Sequence, residues 1–388
     1  MNLFFLIGYD LDRSPWATRP RAILNTLLEE GHQVTVVDLE EPAKTHAPIH
    51  PPIGDNPAVR HLRLKQRFLS SFDAPLAAWI ARRRVRDCLK EADVVHIQKP
   101  KVLTWAVGRL AVSLGKAIVY DWDDLEGAGG IRSGWSGRKV DRIEAFFARH
   151  SRAIVVASRG LKEHVERNYP AHPQLHDGPC GVDSERFNPE TIPSERVEQL
   201  RTQFGLLDNK VILYHGQMEM GDPGEALLTA LRELRSERKV RLLLLGGGRI
   251  QTKMVQRAKT LRLEHALVAP GYLPFEDMPA LLALADVAVV LPPDNAYGRC
   301  KSPLKLYEAM AMALPIVAAK VGQAADVLPD CGMLVPANDP KALAQALQTL
   351  LDDPARARRL GQAARRRAAG QHTWNRLGQT FREIYRSL

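Results

Sequence analysis

Short apolar runs alternate with amphipathic stretches along most of the 388-residue chain. Leu3–Ile7 is a continuous apolar run that ends at Gly8, which predicts a strand buried on both faces. Arg21–Glu30 carries apolar side chains at helical spacing, and Gln33–Val37 is a second apolar run. This order of strand, helix and strand predicts a parallel sheet.

The same pattern continues through the first half of the chain and begins again after Pro189. Apolar runs predict further strands at Val94–Ile97, Ala117–Tyr120, Ala153–Ala157, Lys210–Tyr214, Arg241–Leu245, Leu267–Pro270, Val287–Leu291 and Ile316–Ala318. Helical spacing predicts helices at Glu225–Arg235, Met278–Ala285, Pro303–Ala313 and Trp374–Ser387. We interpret Pro42–Pro57 as a loop and the basic stretch from there to Ala92 as helical.

The repeated pattern predicts an α/β fold of two Rossmann-like, doubly wound domains that face each other across a cleft. We place the domains at residues 1–190 and 191–370, with a last helix at residues 371–388. The four cysteines are far apart in the sequence, so we expect a reduced, cytoplasmic protein. Met1–Gly8 lacks the basic start of a signal peptide, and no apolar run is long enough to span a membrane.

The net charge of +10 is concentrated in two stretches of the chain. Arg60–Lys90 holds nine Lys and Arg against two Asp, and Arg356–Arg367 holds six Arg and no acid. Within residues 79–92 the apolar positions form a helical stripe apart from most of the arginines, as in a helix that lies on an anionic membrane. The alternative is a solvated helix face. We expect no nucleic acid, because the basic stretches lack interleaved aromatic residues and a known motif.

The most informative stretch runs from Lys301 to Met310. Ser302 suits a helix N-cap and Pro303 the first helical position, so a helix beginning there presents free N–H groups to an anion such as a diphosphate. Lys305 and Glu308 share a face of that helix, where Glu308 could accept hydrogen bonds from two ribose hydroxyls. The alternative is an ordinary capped helix whose lysines are solvated.

Two other local signals favour structure over chemistry. Gly246-Gly247-Gly248 follows a strand, but the dinucleotide pattern G-x-G-x-x-G needs a glycine where Gln251 stands, so we predict a tight turn. His96 lies at a strand end, and we interpret it as a core histidine. The motifs of α/β-hydrolases, P-loop proteins and zinc proteases are absent from the sequence.

The run SPLKLYEAMAMALPIVAAKVGQAADVL, which begins at Ser302, resembles the donor-binding signature of the retaining GT-B glycosyltransferases of family GT4, the glycosyl transferases group 1. Other segments resemble the same family in order and spacing: LLEEGHQVTVV, ADVVHIQ, GVDSERFNP, DPKALAQALQTLLDDPARARRLGQAARR and TWNRL. The resemblance covers nearly the whole second half and scattered parts of the first. It implies a GT-B fold with the donor in the C-terminal domain and a last helix that crosses back to the N-terminal domain.

The resemblance also implies a set of site residues. Glu308 matches the second acidic residue of the family's E-x7-E motif, which holds the ribose. The residues expected to meet the diphosphate and the donor sugar are Arg299, Cys300, Lys301, Ser302, Pro303 and Leu304. Gly216 and Gln217 follow the first strand of the C-terminal domain, and Tyr272 and Leu273 are expected beside the base. The candidate catalytic residues are Asp123, Lys305 and Glu308.

Three positions depart from the family pattern. Cys300 stands where E-x7-E has its first glutamate, and Gln217 stands at the position of a diphosphate-binding arginine, with no lysine after it. Asp123 aligns with a frequent histidine of the family. We hypothesise that Arg299, Lys301 and Lys305 supply the missing positive charge.

Asp123 also belongs to a cluster with Asp121 and Asp124. Carboxylates at this spacing suit Mg²⁺ or Mn²⁺, but Asp10-Leu11-Asp12 matches the same pattern, which makes the signal weak. We favour Asp123 as a carboxylate that contacts the donor sugar or the acceptor hydroxyl, with no metal ion. Capping of a helix is the structural alternative for Asp124.

The resemblance implies a metal-independent glycosyltransferase without a cofactor, which moves a hexose-type sugar from a UDP- or GDP-linked donor to an acceptor hydroxyl with retention. We expect a lipid-linked or glycan acceptor and a peripheral position on the inner face of the membrane. Asp10–Arg21 and Pro42–Arg84 are the candidate segments for acceptor choice. One alternative is a GT-B sugar-nucleotide epimerase. Another is a degenerate GT-B protein that binds a nucleotide sugar or a partner without turnover.

Overall fold

A computed structural model of the chain describes residues 1–12, 14, 17–40, 56–65, 74–127, 134–171, 174–218, 223–235 and 239–388. The predicted loop Pro42–Pro57 lies almost wholly outside these residues, and so do parts of both segments expected to set acceptor choice. Within the described part of the chain, no helix is both long enough and apolar enough to cross a membrane.

The contacts divide the chain into two compact units. Unit 1 comprises Met1–Cys180, Cys300–Ser302 and Trp374–Leu388, and unit 2 comprises Gly181–Arg299 and Pro303–Thr373. The change from unit 1 to unit 2 comes earlier than the predicted limit at residue 190. The reason is that residues after Cys180 bond within unit 2: the Val182 N–H donates to the His372 carbonyl at 2.9 Å.

A seven-stranded parallel sheet lies at the centre of unit 1. Its strands are β1 Asn2–Ile7, β2 Gln33–Glu40, β3 Val59–Lys65, β4 Val94–Gln98, β5 Ala117–Trp122, β6 Ala153–Val156 and β7 Gln174–Asp177. Their order in the sheet is β3-β2-β1-β4-β5-β6-β7, and all neighbours pair in parallel. The apolar runs predicted as strands in the first half are confirmed, and the central strands are buried on both faces.

Strand β3 corrects the sequence-based prediction, which had helical segments from the end of the loop to Ala92. Its side chains point alternately to the two faces of the sheet. Leu62 and Leu64 face a core cluster, and His61 and Arg63, which alternate with them, are polar. Both contact Asp38 of β2: His61 Nε2 lies 3.0 Å from Asp38 Oδ1, and Arg63 donates to Asp38 Oδ2 at 3.1 Å. The basic residues that suggested a helical surface therefore hold an edge strand in place.

Helices cover both faces of the sheet of unit 1. They are α1 Thr18–Glu29, α2 Ala74–Glu91, α3 Val102–Ser113, α4 Gly134–His150, α5 Arg159–Asn168 and α15 Trp374–Ser387. Apolar residues of α2 to α5 share one core cluster with the sheet, and those of α1 and α15 share another on the opposite face. The last helix has the predicted bounds and packs on α1.

Unit 2 has a six-stranded parallel sheet. Its strands are β8 Lys210–His215, β9 Val240–Leu245, β10 Leu267–Gly271, β11 Val287–Val290, β12 Ile316–Ala319 and β13 Met333–Val335, in the sheet order β10-β9-β8-β11-β12-β13. Its helices are α6 Ser194–Gln203, α7 Gly224–Arg235, α8 Arg249–Thr260, α9 Met278–Leu282, α10 Ala296–Cys300, α11 Leu304–Ala311, α12 Gly322–Val327, α13 Pro340–Asp352 and α14 Pro354–Gln371, with Cys300 assigned to unit 1. The predicted fold class, two Rossmann-like α/β domains, is confirmed.

Candidate functional site

The strands of each sheet are parallel, so they all end at one edge, called here the carboxyl edge, where open α/β sheets bind ligands. In unit 2 glycines line this edge. Gly216 follows β8 with a φ of 105°, and Gly246 follows β9 with a φ of 110°. A Cβ on Gly246 would lie 2.3 Å from the Gly216 carbonyl oxygen, so only glycine fits there. The chain bends at Gly246 and Gly248 between β9 and α8, and Gln251 donates to the Gly246 carbonyl at 2.8 Å.

Helix α11 begins at this edge, but one residue later than the sequence predicted. Pro303 is the N-cap and Leu304 the first helical residue. Ser302 is therefore not the cap, and its Oγ accepts a hydrogen bond from the Cys180 N–H at 3.1 Å. Leu304, Lys305 and Glu308 are the half-buried positions of the helix, and the residues between them are mostly core. The face predicted to meet the donor is thus the face that does not pack into the core.

Glu308 is held by a residue that the sequence analysis did not single out. The Nε2 atom of His215, the last residue of β8, lies 3.1 Å from Glu308 Oε2. His215 is buried, whereas the Glu308 side chain is 15% exposed. The sequence signal was available: a polar residue at the end of an apolar strand, immediately before a glycine.

Lys305 lies over two neighbours of His215. Its Nζ is 4.2 Å from the centre of the Tyr214 ring, a cation–π contact. A Cβ on Gly216 would lie 3.2 Å from Lys305 Cε, so the lysine side chain passes close to the glycine backbone. The structure therefore brings together Gly216, Lys305 and Glu308, three of the predicted site residues.

The residues expected near the base lie at the end of β10. Tyr272 is 52% exposed, and its hydroxyl donates to the Gly247 carbonyl at 3.2 Å. Its ring packs on Gly247, where a Cβ would lie 2.6 Å from Tyr272 Cε2. Leu273 is half-buried, and Gln217 is exposed at the end of β8. Residues 219–222, which complete the family's diphosphate segment, lie outside the described residues.

The residues of the loop before α11 belong to different units. The Arg299 guanidinium, 62% exposed, pairs with Asp294 at 2.8 Å. Cys300 is buried in the core cluster of unit 1, where its carbonyl accepts a hydrogen bond from Ser158 Oγ at 2.7 Å. Burial raises the pKa of the Cys300 thiol to about 11. Lys301 is half-buried and belongs to unit 1 with Cys300. The position that departs from E-x7-E is therefore a core residue of the other unit.

The carboxyl edge of unit 1 carries a buried network of charges around Lys99, which follows β4. The Lys99 Nζ lies 2.9 Å from Asp123, 3.2 Å from Asp124 and 3.3 Å from Glu126. Its backbone is left-handed, with a φ of 70°, an uncommon conformation for a side chain of this size. The sequence analysis missed Lys99, although it follows a buried strand adjacent in the sheet to the one that precedes Asp123.

The three aspartates of the predicted cluster have different partners. Asp121 accepts hydrogen bonds from Nε and Nη2 of buried Arg19, and the shortest, from Nη2 to Oδ1, is 2.6 Å long. Burial raises the pKa of Asp123 to about 6, against the opposing effect of Lys99. Burial would also raise the pKa of Asp124, but Lys99 and Lys301 outweigh it and keep that pKa below its ordinary value. Asp124 bonds to Lys99 and does not cap a helix.

A second set of ion pairs joins the segment after β1 to β2 and β3. Arg63 of β3 contacts Asp12 at 2.6 Å, Asp38 at 3.1 Å and Asp10 at 3.6 Å. The sequence analysis had used Asp10 and Asp12 only to show that the Asp-x-Asp pattern is common. Among the described residues, no three His, Cys, Asp or Glu side chains converge as a metal site requires.

Two further predictions concern His96 and the basic stretches. His96 is 1% exposed in the core of unit 1, as predicted, with its Nδ1 2.6 Å from the Tyr385 hydroxyl. The apolar stripe of residues 79–92 packs into the core of unit 1 and is not available to lipid, which corrects that part of the membrane prediction. The basic side chains of α2 are exposed: Arg82, Arg83, Arg84, Arg86 and Lys90.

Each unit is a parallel α/β sheet with polar groups at its carboxyl edge, where sheets of this kind bind ligands. Two family models match the chain: residues 18–186 match Glycosyltransferase Family 4, and residues 209–353 match Glycosyl transferases group 1. The chain carries both of these glycosyltransferase domains and is a glycosyltransferase.

Curated relatives carry related activities. A GDP-mannose-dependent alpha-(1-6)-phosphatidylinositol monomannoside mannosyltransferase from Mycolicibacterium smegmatis is 28% identical over 263 residues, which cover 66% of this chain and 68% of the relative. A D-inositol 3-phosphate glycosyltransferase from Xylanimonas cellulosilytica is 32% identical over 248 residues, 61% of this chain and 57% of the relative.

Solved structures show the same fold over the whole chain. Sucrose-phosphate synthase from Thermosynechococcus elongatus superposes with a TM-score of 0.80 at 20% identity, covering 100% of this chain and 99% of that one. The Anabaena protein HepE in complex with UDP-glucose gives a TM-score of 0.76 at 17% identity, with full coverage of both chains. At these identities the comparisons establish the GT-B fold.

Proposed function

We propose that the protein transfers a hexose-type sugar from a nucleoside diphosphate donor to an acceptor hydroxyl, with retention and without a protein-bound metal ion. The observation that carries the donor assignment is the grouping of Glu308, Lys305 and Gly216 at the carboxyl edge of unit 2. Retention is supported by family membership. The names of the relatives support a UDP- or GDP-linked donor.

Each part of the donor has a candidate partner in unit 2. Glu308 accepts the ribose hydroxyls, and the exposed face of Tyr272 lies beside the base. Lys305 and the N–H groups at the start of α11 meet the diphosphate, because a helix amino end and a cation both favour negative charge. Gly216 lets the backbone approach the phosphates closely.

The chemistry we propose is positioning together with electrostatic stabilisation of the departing diphosphate. Arg299 can join Lys305 in this role despite its pair with Asp294. An exposed ion pair contributes only about 0–1 kcal/mol, so a diphosphate can displace it. Lys301, two residues after Arg299, is the third cation that we propose in place of the family's arginine and lysine.

In unit 1 we propose Asp123 as the carboxylate that contacts the donor sugar or the acceptor hydroxyl. Its side chain is 15% exposed, so a ligand can reach it, and Lys99 fixes one oxygen at 2.9 Å. A pKa of about 6 lies near neutral pH, where a group exchanges protons most usefully.

We propose a lipid-linked or glycan acceptor and a peripheral position on the cytoplasmic face of a membrane. The mannosyltransferase relative is named for a phosphatidylinositol-linked substrate. The exposed arginines of α2 and the 56% exposed Trp79 offer a basic, aromatic surface to anionic lipid. Since the apolar stripe of this helix is buried, contact with lipid would be electrostatic and would weaken with salt.

A thermal-shift panel tests the donor assignment. UDP, GDP, ADP and dTDP, with their sugar conjugates, are added to the wild-type chain, to Glu308→Ala and to Glu198→Ala, an exposed glutamate of α6. A ligand at a hundred times its dissociation constant stabilises the folded state by about 2.7 kcal/mol, which is visible as a melting shift.

We expect the nucleotides of one base to raise the melting temperature of the wild type and of Glu198→Ala. In Glu308→Ala most of that increase should be absent. If no nucleotide shifts the wild type, the donor assignment fails and the degenerate GT-B alternative is favoured. If product analysis shows that a sugar conjugate is isomerised when no acceptor is present, the epimerase alternative is favoured instead.

A further inference from the structure

His215 occupies a position in unit 2 that an apolar residue would fill more simply. It ends β8 after the apolar residues Val211–Tyr214, and it is 1% exposed. Its Nε2 lies 3.1 Å from Glu308 Oε2. Among the described residues, no hydrogen-bonding partner lies within reach of its Nδ1.

The contact defines the roles of the two groups. A carboxylate can only accept hydrogen bonds, so the hydrogen of the imidazole is on Nε2 and His215 donates to Glu308. Hydrogen bonds to an ionised acceptor are stronger and more directional than neutral ones. The bond therefore fixes the rotation of the Glu308 carboxylate and leaves Oε1 to accept from a ligand.

Stability alone does not explain a histidine at this position. Burying a polar nitrogen without a partner is unfavourable, and Nδ1 is such an atom. A leucine or phenylalanine at the end of β8 would avoid that loss and continue the apolar pattern of the strand. The interaction that histidine supplies here, and that an apolar residue lacks, is the one with Glu308.

We propose that His215 is a positioning residue for the donor: it orients Glu308 so that the carboxylate meets the ribose hydroxyls. The inference rests on the proposed role of Glu308 in donor binding. It assigns to this chain a pair of residues, one from β8 and one from α11, where the family motif supplies only the glutamate. Its signature is a loss of affinity that depends on the ribose hydroxyls.

The test measures dissociation constants by calorimetry for the nucleoside diphosphate that binds the wild type, and for its 2′,3′-dideoxy analogue. The chains are the wild type, His215→Leu, His215→Gln and Glu308→Ala. His96→Phe is the matched control, because His96 is equally buried but bonds to Tyr385 in unit 1. The double variant His215→Leu/Glu308→Ala completes a mutant cycle.

We expect His215→Leu to weaken the ribonucleotide about tenfold, as loss of a hydrogen bond to a charged group implies, and to leave the dideoxy analogue unchanged. His215→Gln, which keeps an N–H donor, should recover part of the affinity. In the Glu308→Ala background His215→Leu should have no further effect, and His96→Phe should bind like the wild type.

The outcomes separate the two proposals. If the wild type binds no nucleotide, both the donor assignment and this inference are overturned. If the wild type binds and His215→Leu binds equally well, or loses both analogues equally, only the role of His215 is overturned. Should His215→Leu fail to fold, nitrogen-15 NMR of the wild-type imidazole decides: the His215 signals must shift with the ribonucleotide and not with the dideoxy analogue.

Discussion

The carboxyl edges of the two sheets are built in opposite ways. In unit 2 glycines follow β8 and β9, and the side-chain contacts described there join single partners, such as His215 with Glu308 and Tyr272 with the Gly247 carbonyl. In unit 1 the edge is filled with charge, because Lys99 binds three carboxylates and Arg19 binds Asp121. One edge has space for a ligand to approach the backbone, and the other already holds its ions in place.

This difference indicates different tasks for the two edges. A backbone made accessible by glycine can approach phosphates closely, which suits a large and highly charged donor. Buried ions contribute little net stability, since their desolvation offsets their attraction. A network of this size at a carboxyl edge is therefore better explained by function, with Asp123 held in a fixed orientation.

The largest expected effect is the loss of stability when Lys99 of unit 1 is replaced. Lys99→Met leaves Asp123, Asp124 and Glu126 without their shared cation, and removal of one member of a buried ion network costs about 3–5 kcal/mol. Chemical denaturation should show this loss. Lys101→Met is the control, because Lys101 is 31% exposed and contacts only Glu126 of these carboxylates, so it should lose much less. Equal losses would show that the network does not depend on Lys99.

The next effect is on activity and its pH dependence. If Asp123 works as a carboxylate, its pKa of about 6 predicts that kcat falls as the pH is lowered through that value. Asp123→Asn should remove this acid limb and lower kcat about a hundredfold. Asp124→Asn is the control: the pKa of Asp124 is already below its ordinary value, so this variant should keep the limb, moved to lower pH because the charge of Asp124 helps to raise the pKa of Asp123.

The raised pKa of Asp123 also predicts how stability changes with pH. The pKa of Asp123 is raised on folding, so the folded state holds this proton more tightly than the unfolded state. Its contribution to stability is therefore largest at low pH and is lost as the pH rises from the ordinary value of an aspartate to about 6. The stability of Asp123→Asn should change less across that window than that of the wild type.

The smallest effect concerns the backbone of unit 2. Gly246 and Gly271 both have a positive φ, but only at Gly246 does an added Cβ meet another atom, the Gly216 carbonyl oxygen at 2.3 Å. Gly271→Ala should therefore cost about 1 kcal/mol from strain alone, and Gly246→Ala about 3 kcal/mol. Denaturation of the two variants compares them. If both lose the same stability, the edge is less tightly built than the geometry indicates.

The fold followed from the sequence because buried parallel strands are continuous apolar runs. The strands that the pattern missed, β3 and β7 in unit 1 and β13 in unit 2, are at the edges of their sheets or short. Arg63 illustrates the reason. Its charge suggests a helix surface, and it becomes a strand residue through contacts distant in sequence, with Asp12 after β1 and with Asp38 of β2.

The candidate site was predictable where its residues are close in sequence, as Lys305 and Glu308 are. Contacts between distant residues were not. Lys99 meets Asp123 only because β4 and β5 are neighbours in the sheet, and His215 meets Glu308 only because α11 begins beside the end of β8. The assignment of Cys300 to the core of unit 1 also depends on residues distant in sequence, such as Ser158, whose Oγ donates to the Cys300 carbonyl.

The position of α15 has a consequence for synthesis on the ribosome. Phe381, Ile384 and Tyr385 complete the core on the α1 face of unit 1, yet they are translated after all of unit 2. A nascent chain therefore exposes an apolar face of unit 1 while unit 2 emerges. Residues 181–299 and 303–373 of unit 2 are translated before α15, so unit 2 can reach its final packing before the core of unit 1 is complete.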